Sequence, residues 1–399
     1  MMELARRIAF TVGALLVYRF GAFVPLPGLD PAVLAELYRG NPSGLHRLAI
    51  FGLGIGPYVE AAVFLQFLTV VSPRLKALKH CGARGRHTID RMTRVLTVLL
   101  AAGQASGVAI GLEKVPDIVT EPSWLFTLST TLTLIGGTLF LVWLSEQITL
   151  RGLGNGLVLM LLAPIVTALP NTVADVLEAG RQGQLSSGRI NTLVLFVVGL
   201  TAFVVLMERA RRFICIDYPE RQIGARTFAA QTADLPLKLN GAGIIPVLLG
   251  SWIMSALVAL LNFAVGQGAS WATAIAVSLR YGRPLHLIVY ALLLFGSAIL
   301  YTALLFDPEE MVGSLKKYGG SIAAQEPGEA AAAYIDRVLS RVMLAGACYL
   351  VIVMMLGEIF ATYFPMPLHF GVVSLLISVC ATLDLDTEIQ AYMRRERQA

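Results

Sequence analysis

Phe51-Gly52-Leu53-Gly54-Ile55-Gly56-Pro57-Tyr58-Val59-Glu60 opens an apolar segment that runs on to about Val71. Its hydropathy reads as a membrane span, yet Gly52, Gly54, Gly56 and Pro57 crowd its start. Proline removes a backbone donor and clashes with the preceding turn, and glycine adds backbone freedom. In lipid, each freed N–H and C=O must be satisfied by protein or by a water-filled cavity. The stretch therefore predicts a broken helix that lines a path or site through protein. The plainer alternative is a kinked helix packed among its neighbours.

The rest of the chain sets that stretch in a membrane. Of 399 residues, 56% are hydrophobic and 14% charged, and the mean hydropathy is +0.71. Soluble domains carry about 25% charge, so the composition excludes them and predicts an all-α, multi-spanning membrane protein. At about 20 apolar residues per span, ten stretches qualify: about 8–24, 50–71, 93–112, 124–144, 156–171, 190–207, 242–265, 285–306, 340–361 and 367–383. No cleavable signal peptide is expected, because the run after Arg6 and Arg7 lacks a clean small-residue cleavage site. Cys81, Cys215, Cys348 and Cys380 show no paired spacing, so neither a disulfide framework nor a metal site is expected. The net charge of +5 reports orientation and contact with anionic lipid, not specific nucleic-acid binding.

Ten spans place both termini on one side. The loop after the second span carries Arg74, Lys76, Lys79, Arg84, Arg86, Arg91 and Arg94 against Asp90 alone. The loop after the sixth carries Arg209, Arg211, Arg212, Arg221, Arg226 and Lys238. The positive-inside rule makes both loops, and both termini, cytoplasmic. Two halves of five spans, 1–180 and 181–399, would insert in opposite orientations, the arithmetic of an inverted repeat. Two long loops, 208–240 and 307–339, read as docking arms. In the first, Phe213, Ile214, Ile216, Tyr218 and Phe228 nearly alternate with charges, which predicts a small strand or hairpin.

Catalytic chemistry finds no footing. His46, His80, His87, His286 and His369 lie in loops or at span ends, and neither H-E-x-x-H nor G-x-S-x-G occurs. No catalytic residue, metal or cofactor is expected. A solute transporter built on inverted repeats also suits a broken helix, but needs convergent polar groups at mid-membrane. Glu60 is the strong candidate for that.

Several segments carry a family resemblance. They are Pro25-Leu26-Pro27-Gly28-Leu29-Asp30, Gly54-Ile55-Gly56-Pro57-Tyr58, Gly82-Ala83-Arg84-Gly85-Arg86, Glu146-Gln147-Ile148-Thr149 and Arg151-Gly152-Leu153-Gly154-Asn155-Gly156. Further along stand Leu235-Pro236-Leu237-Lys238-Leu239-Asn240, Gly243-Ile244-Ile245-Pro246, Tyr301-Thr302-Ala303-Leu304, Pro327-Gly328-Glu329 and Tyr334-Ile335-Asp336-Arg337. In this order they resemble the SecY family, the channel subunits of the bacterial protein translocase, over nearly the whole chain. The resemblance implies ten helices in two inverted five-helix halves around a central pore in the cytoplasmic (inner) membrane. It implies passage of unfolded secretory polypeptides and lateral release of apolar segments into lipid.

The site residues follow from that resemblance. Gly52, Gly54, Gly56, Pro57 and Glu60 fall on the plug and gate helix. Ile55, Val59, Leu161, Ile165, Leu248 and Ile377 match the aliphatic ring of the pore. Aliphatic side chains make a constriction that dewets and blocks ions, yet forms no directional bond to a passing chain. Arg226 matches a basic docking tip, and Lys316 and Lys317 lie in the second docking loop. The implied partners are SecE-type and SecG-type small subunits, the SecA motor ATPase or the ribosome, signal peptides, unfolded polypeptide and membrane lipid.

Four features depart from the family pattern. Glu326 stands where the family places an arginine before the matching Pro-Gly. The segment before Ile50, Asn41 to Arg47, is short, so an abbreviated plug is expected. Glu60 replaces a small polar residue in the gate helix, either lining an aqueous vestibule or pairing with a basic group. The chain also ends soon after Arg395. The first three, at the docking loop, the plug and the gate, point to a divergent or second copy of the channel.

Overall fold

A computed structural model describes residues 2–34, 48–80, 82–218, 221–223, 226–228, 231–305, 313, 321–322, 329–364 and 371–398. Its long helices are α1 (Met2–Gly21), α2 (Gly56–Val71), α4 (Gly82–Glu113), α5 (Trp124–Arg151), α6 (Gly156–Arg181), α7 (Ser187–Arg209), α8 (Ile245–Gly266), α10 (Pro284–Leu305), α11 (Glu329–Tyr363) and α12 (Val372–Gln398). Two short helices, α3 (Pro73–His80) and α9 (Ser270–Ser278), sit in connections. Strands β1 (Arg211–Tyr218), β2 (Arg221–Ile223), β3 (Arg226–Phe228) and β4 (Gln231–Lys238) lie between α7 and α8, and β5 (Ser321–Ile322) precedes α11.

Among the described residues, seven helices are long and apolar enough to cross a membrane: α4 to α8, α10 and α11. Helices α1, α2 and α12 occupy the other three expected positions. The break shortens α2 to 16 residues, and α12 ends in a charged run. Large apolar side chains point outward along the helices, such as Leu195, Leu206, Leu260 and Leu292, all exposed. That pattern suits lipid, since in water such a surface would be an aggregation site. Many hydroxyls inside the helices bond their own backbone. Thr97 donates to the Thr93 carbonyl and Thr302 to that of Ala298, each at 2.7 Å. Such back-bonding satisfies a polar group where no water is present.

The chain divides into two compact units. The first holds α1 to α6 and most of α12. Here α4 packs against α2 and α5. It presents Ala101, Ala105 and Ala109 at four-residue spacing, all fully buried, and small residues let helix backbones approach closely. Leu26, Leu29, Leu112, Val119, Phe126 and Leu134 form a buried cluster beneath the connection from α1 to α2. The Pro25–Asp30 motif supplies two of them. Gly28 takes φ +84°, and a Cβ there would strike the Phe126 ring.

In the second unit, α10 packs against α8 and α11. Ser297 of α10 donates to the Pro246 carbonyl in the first turn of α8 at 2.9 Å. The expected strand pattern after α7 is present. β1 pairs antiparallel with β4, Arg211 opposite Lys238 and Tyr218 opposite Gln231. Ile214 and Ile216 turn inward while Phe213, Cys215 and Asp217 face out, the period of two that a strand requires. Pro236 lies on β4, an edge of the β4-β1-β5 sheet, where a missing donor is tolerated. Ile214, Ile216 and Leu237 pack with Ile335 of α11, which is fully buried.

Two adjacent glycines on α5 test this packing. A Cβ on Gly137 would strike the Ile50 carbonyl, whereas one on Gly136 meets open space. Gly137→Ala is expected to destabilise by about 2–3 kcal/mol through overpacking. Gly136→Ala should be neutral or raise stability by about 0.5–1 kcal/mol. Thermal unfolding of the two purified variants in detergent reads the difference.

Candidate functional site

The break predicted at the start of the second span is real and has a local cause. Residues 51–55 form successive turns, and helix begins only at Gly56, with Pro57 in its first turn. There proline's missing donor is harmless. The amide of Gly52 donates to the Ala49 carbonyl at 2.8 Å and that of Gly54 to Phe51 at 2.9 Å. Gly54 sits at φ +60°, a conformation that favours glycine. Phe51 anchors the turn. Its ring stacks on Tyr18 at 6.0 Å and on Phe140 at 5.8 Å. On the other side, Ile50 and Leu26 bond the Val24 and Leu48 carbonyls at 3.0 and 2.9 Å.

Of the six ring positions, Ile55, Val59 and Ile377 are buried, and Leu161, Ile165 and Leu248 are half-buried. Ile55 caps α2, and Val59 donates its amide to the Ile55 carbonyl one turn on. Leu161 and Ile165 share a face of α6. Leu248 belongs to the second unit, the other five to the first. Glu60 accepts a hydrogen bond from Gln104 of α4 at 2.7 Å. The partner that satisfies this intramembrane carboxylate is therefore a neutral amide.

The Arg151–Gly156 turn ties remote elements together. The amide of Leu153 donates to the Thr11 hydroxyl at 2.9 Å and that of Gly154 to Glu388 at 2.7 Å. Gly156 donates to Thr149, and the Asn155 side chain caps α6 by accepting from Leu157. A Cβ on Gly156 would strike the Ser145 carbonyl. Two members of this motif are therefore backbone donors to side chains far along the chain.

The loop between α7 and α8 becomes a hairpin with a smaller one, β2–β3, at its tip. Arg226 begins β3. The second long loop joins the same sheet, Ile322 pairing with Ile216 and Ser321 with Asp217. Lys316, Lys317 and Glu326 lie outside the described residues, as does the Asn41–Arg47 segment. On the outer face of β1, the Cys215 thiol contacts Asp234 at 3.2 Å. That hydrogen bond, with the carboxylate charge, pushes the exposed thiol above its ordinary range.

Two polar clusters escaped sequence reasoning. In the second unit, Glu208 accepts from Asn240 at 2.6 Å and from the Tyr349 hydroxyl at 3.1 Å. This gives the asparagine that ends the Leu235–Asn240 motif a structural task. Glu358 is the buried charged side chain among the described residues. It lies 2.7 Å from Nε2 of His286, whose Nδ1 donates to the Leu279 carbonyl at 3.0 Å. Its sequence signal was an isolated acid in the apolar run of the ninth span. Among the described residues, no three His, Cys, Asp or Glu side chains converge as metal ligands do.

The SecY family profile matches residues 49–385. Protein translocase subunit SecY of Escherichia coli K12 is 40% identical, covering 98% of this chain and 92% of the relative. The chain belongs to the SecY family. The SecY subunit of Vibrio cholerae is equally similar, 40% identical over the same shares. Among solved structures, one of SecY with its plug domain aligns with TM-score 0.68 at 17% identity, covering 97% of this chain and 92% of that one. Sec61 in the canine ribosome-channel complex aligns with TM-score 0.63 at 16% identity, over the same shares. The fold is thus the SecY/Sec61 fold of ten membrane helices in two halves, and α1, α2 and α12 complete the count. The function is that of a protein-conducting translocation channel, not of an enzyme. The transporter alternative loses its ground.

Replacing Asp234 by Asn removes the charge that holds the Cys215 thiol up. The nucleophile is the thiolate, so a raised pKa slows alkylation. In a background with Cys81, Cys348 and Cys380 changed to Ser, Asp234→Asn should speed maleimide labelling of Cys215 several-fold at pH 7.5. The difference should vanish at a pH high enough to ionise the thiol in both forms.

Proposed function

We propose that the turn at residues 48–55 is the plug, that α2 is the gate helix, and that Ile55, Val59, Leu161, Ile165, Leu248 and Ile377 form the aliphatic constriction. The single observation that supports this most is the buried pair Ile55 and Val59, one turn apart at the mouth of the broken helix. Both termini and both long loops face the cytoplasm by their arginine and lysine content, in the inner membrane of a bacterium. Apolar segments leave sideways into lipid past α2, where Glu60 stands in place of the family's small polar residue.

Arg226, Lys316 and Lys317 are docking residues for a motor ATPase of the SecA kind or for a ribosome, as the canine Sec61 complex illustrates for its own channel. SecE-type and SecG-type subunits complete the assembly, with signal peptides and unfolded chains as cargo. Glu326, where the family carries arginine, sets this chain apart as a divergent or second copy. Like charges meeting at such a contact cost several kcal/mol.

Protease protection of a secretory precursor tests the reading. The vesicles would hold this chain with a SecE-type subunit, with SecA and ATP added. The native chain should protect precursor, and Glu326→Arg should raise the yield several-fold. A second arm replaces Ile55 and Val59 by Asn, which should let idle vesicles leak potassium. An assembled complex that protects no precursor in either form, and stays ion-tight with Asn in the ring, would overturn the proposal.

A further inference from the structure

Where α7 gives way to β1, the end of β4 and the first turns of α11 close on an open cavity of about 450 Å³. Small-molecule sites span roughly 300–1,000 Å³. Arg211, Arg212 and Arg341 stand at it, all exposed, while Leu239, Val338 and Val342 line it, all half-buried. Two of these arginines follow the last helical residue of the sixth span, and the third lies at the start of the apolar part of the ninth. The cavity thus sits at the level where a span meets the lipid headgroups.

Three arginines line this cavity, and none of them has a counter-charge among the described residues. Some arginines elsewhere are paired: Arg94 lies 2.8 Å from Glu146 and Arg7 3.4 Å from Glu3. Arg211, Arg212 and Arg341 have no ion-pair or hydrogen-bond partner among the described residues. Glu208, the closest acid in sequence to the first two, holds Asn240 and Tyr349. A planar guanidinium matches phosphate oxygens two at a time and tolerates partial desolvation better than an ammonium. A soluble anion would use the charges but leave the valines and leucine bare.

We propose that this cavity binds one anionic phospholipid. Arg211, Arg212 and Arg341 hold its phosphate, and Leu239, Val338 and Val342 take the glycerol and upper acyl carbons. Basic pockets between membrane helices at the headgroup level have the chemistry for such a lipid.

The test is native mass spectrometry of the delipidated full chain, titrated with phosphatidylglycerol or phosphatidylcholine. The native chain should prefer the anionic lipid by at least about tenfold. The triple variant Arg211→Gln, Arg212→Gln, Arg341→Gln should lose that preference. Val342→Phe, which fills the cavity and keeps all three charges, should lose it too. A remote triple, Arg84→Gln, Arg86→Gln, Arg91→Gln, should keep it, and inorganic phosphate should not compete. An unchanged preference in the cavity triple would overturn the proposal, as would equal loss in the remote triple. Displacement of the lipid by inorganic phosphate would reassign the cavity to a soluble anion. Retained lipid with loss of a co-purifying subunit would make it a protein seat instead.

Discussion

The first unit depends on how backbone polar groups are satisfied where α2 begins. A chain that stops being helical at membrane depth exposes amides and carbonyls that lipid cannot bond. Here the turns at 49–55 close them on one another, and the connection from α1 contributes the pairings around Val24 and Leu48. The Phe51 ring, held between Tyr18 and Phe140, fills the space such a turn would leave. Gly137 then has to be glycine, because the Ile50 carbonyl occupies the place of its side chain. The break is therefore a built joint with a fixed geometry, and the α2 face bearing Val59 inherits that geometry.

Much of this was legible because the signals were local. A cluster of glycines with proline can only interrupt a span, and the alternation after Arg211 can only suit a strand. The ordered motifs placed the whole chain in its family. What stayed hidden was pairing across distance. Glu60 stood out as an ionisable group in a span, but its partner Gln104 carries no charge and left no mark in a reading of charges. Glu358 and His286 lie on different helices, and only packing brings them to 2.7 Å. The glycines of the Arg151–Gly156 turn were visible as a motif. Their reasons were not, because Thr11 and Glu388 lie at opposite ends of the chain.

Several polar side chains in this protein tie elements together at their ends. Asn240 ends the sheet and holds Glu208, which in turn holds Tyr349 of α11. Buried networks of this kind are useful only when every member is satisfied. They fix which helix end meets which strand end, a matter that apolar contact between lipid-bathed helices settles poorly.

Helix α11 has 35 residues, so it is about 52 Å long, against about 30 Å of hydrocarbon. Well over a turn of it must project into water, and there Ile335 is clamped by the sheet. Strands from both long loops are stitched into that sheet. The sheet is thus the handle of a lever whose shaft runs through the bilayer. Ile335 thereby joins that sheet to one end of a helix long enough to cross the bilayer with turns to spare.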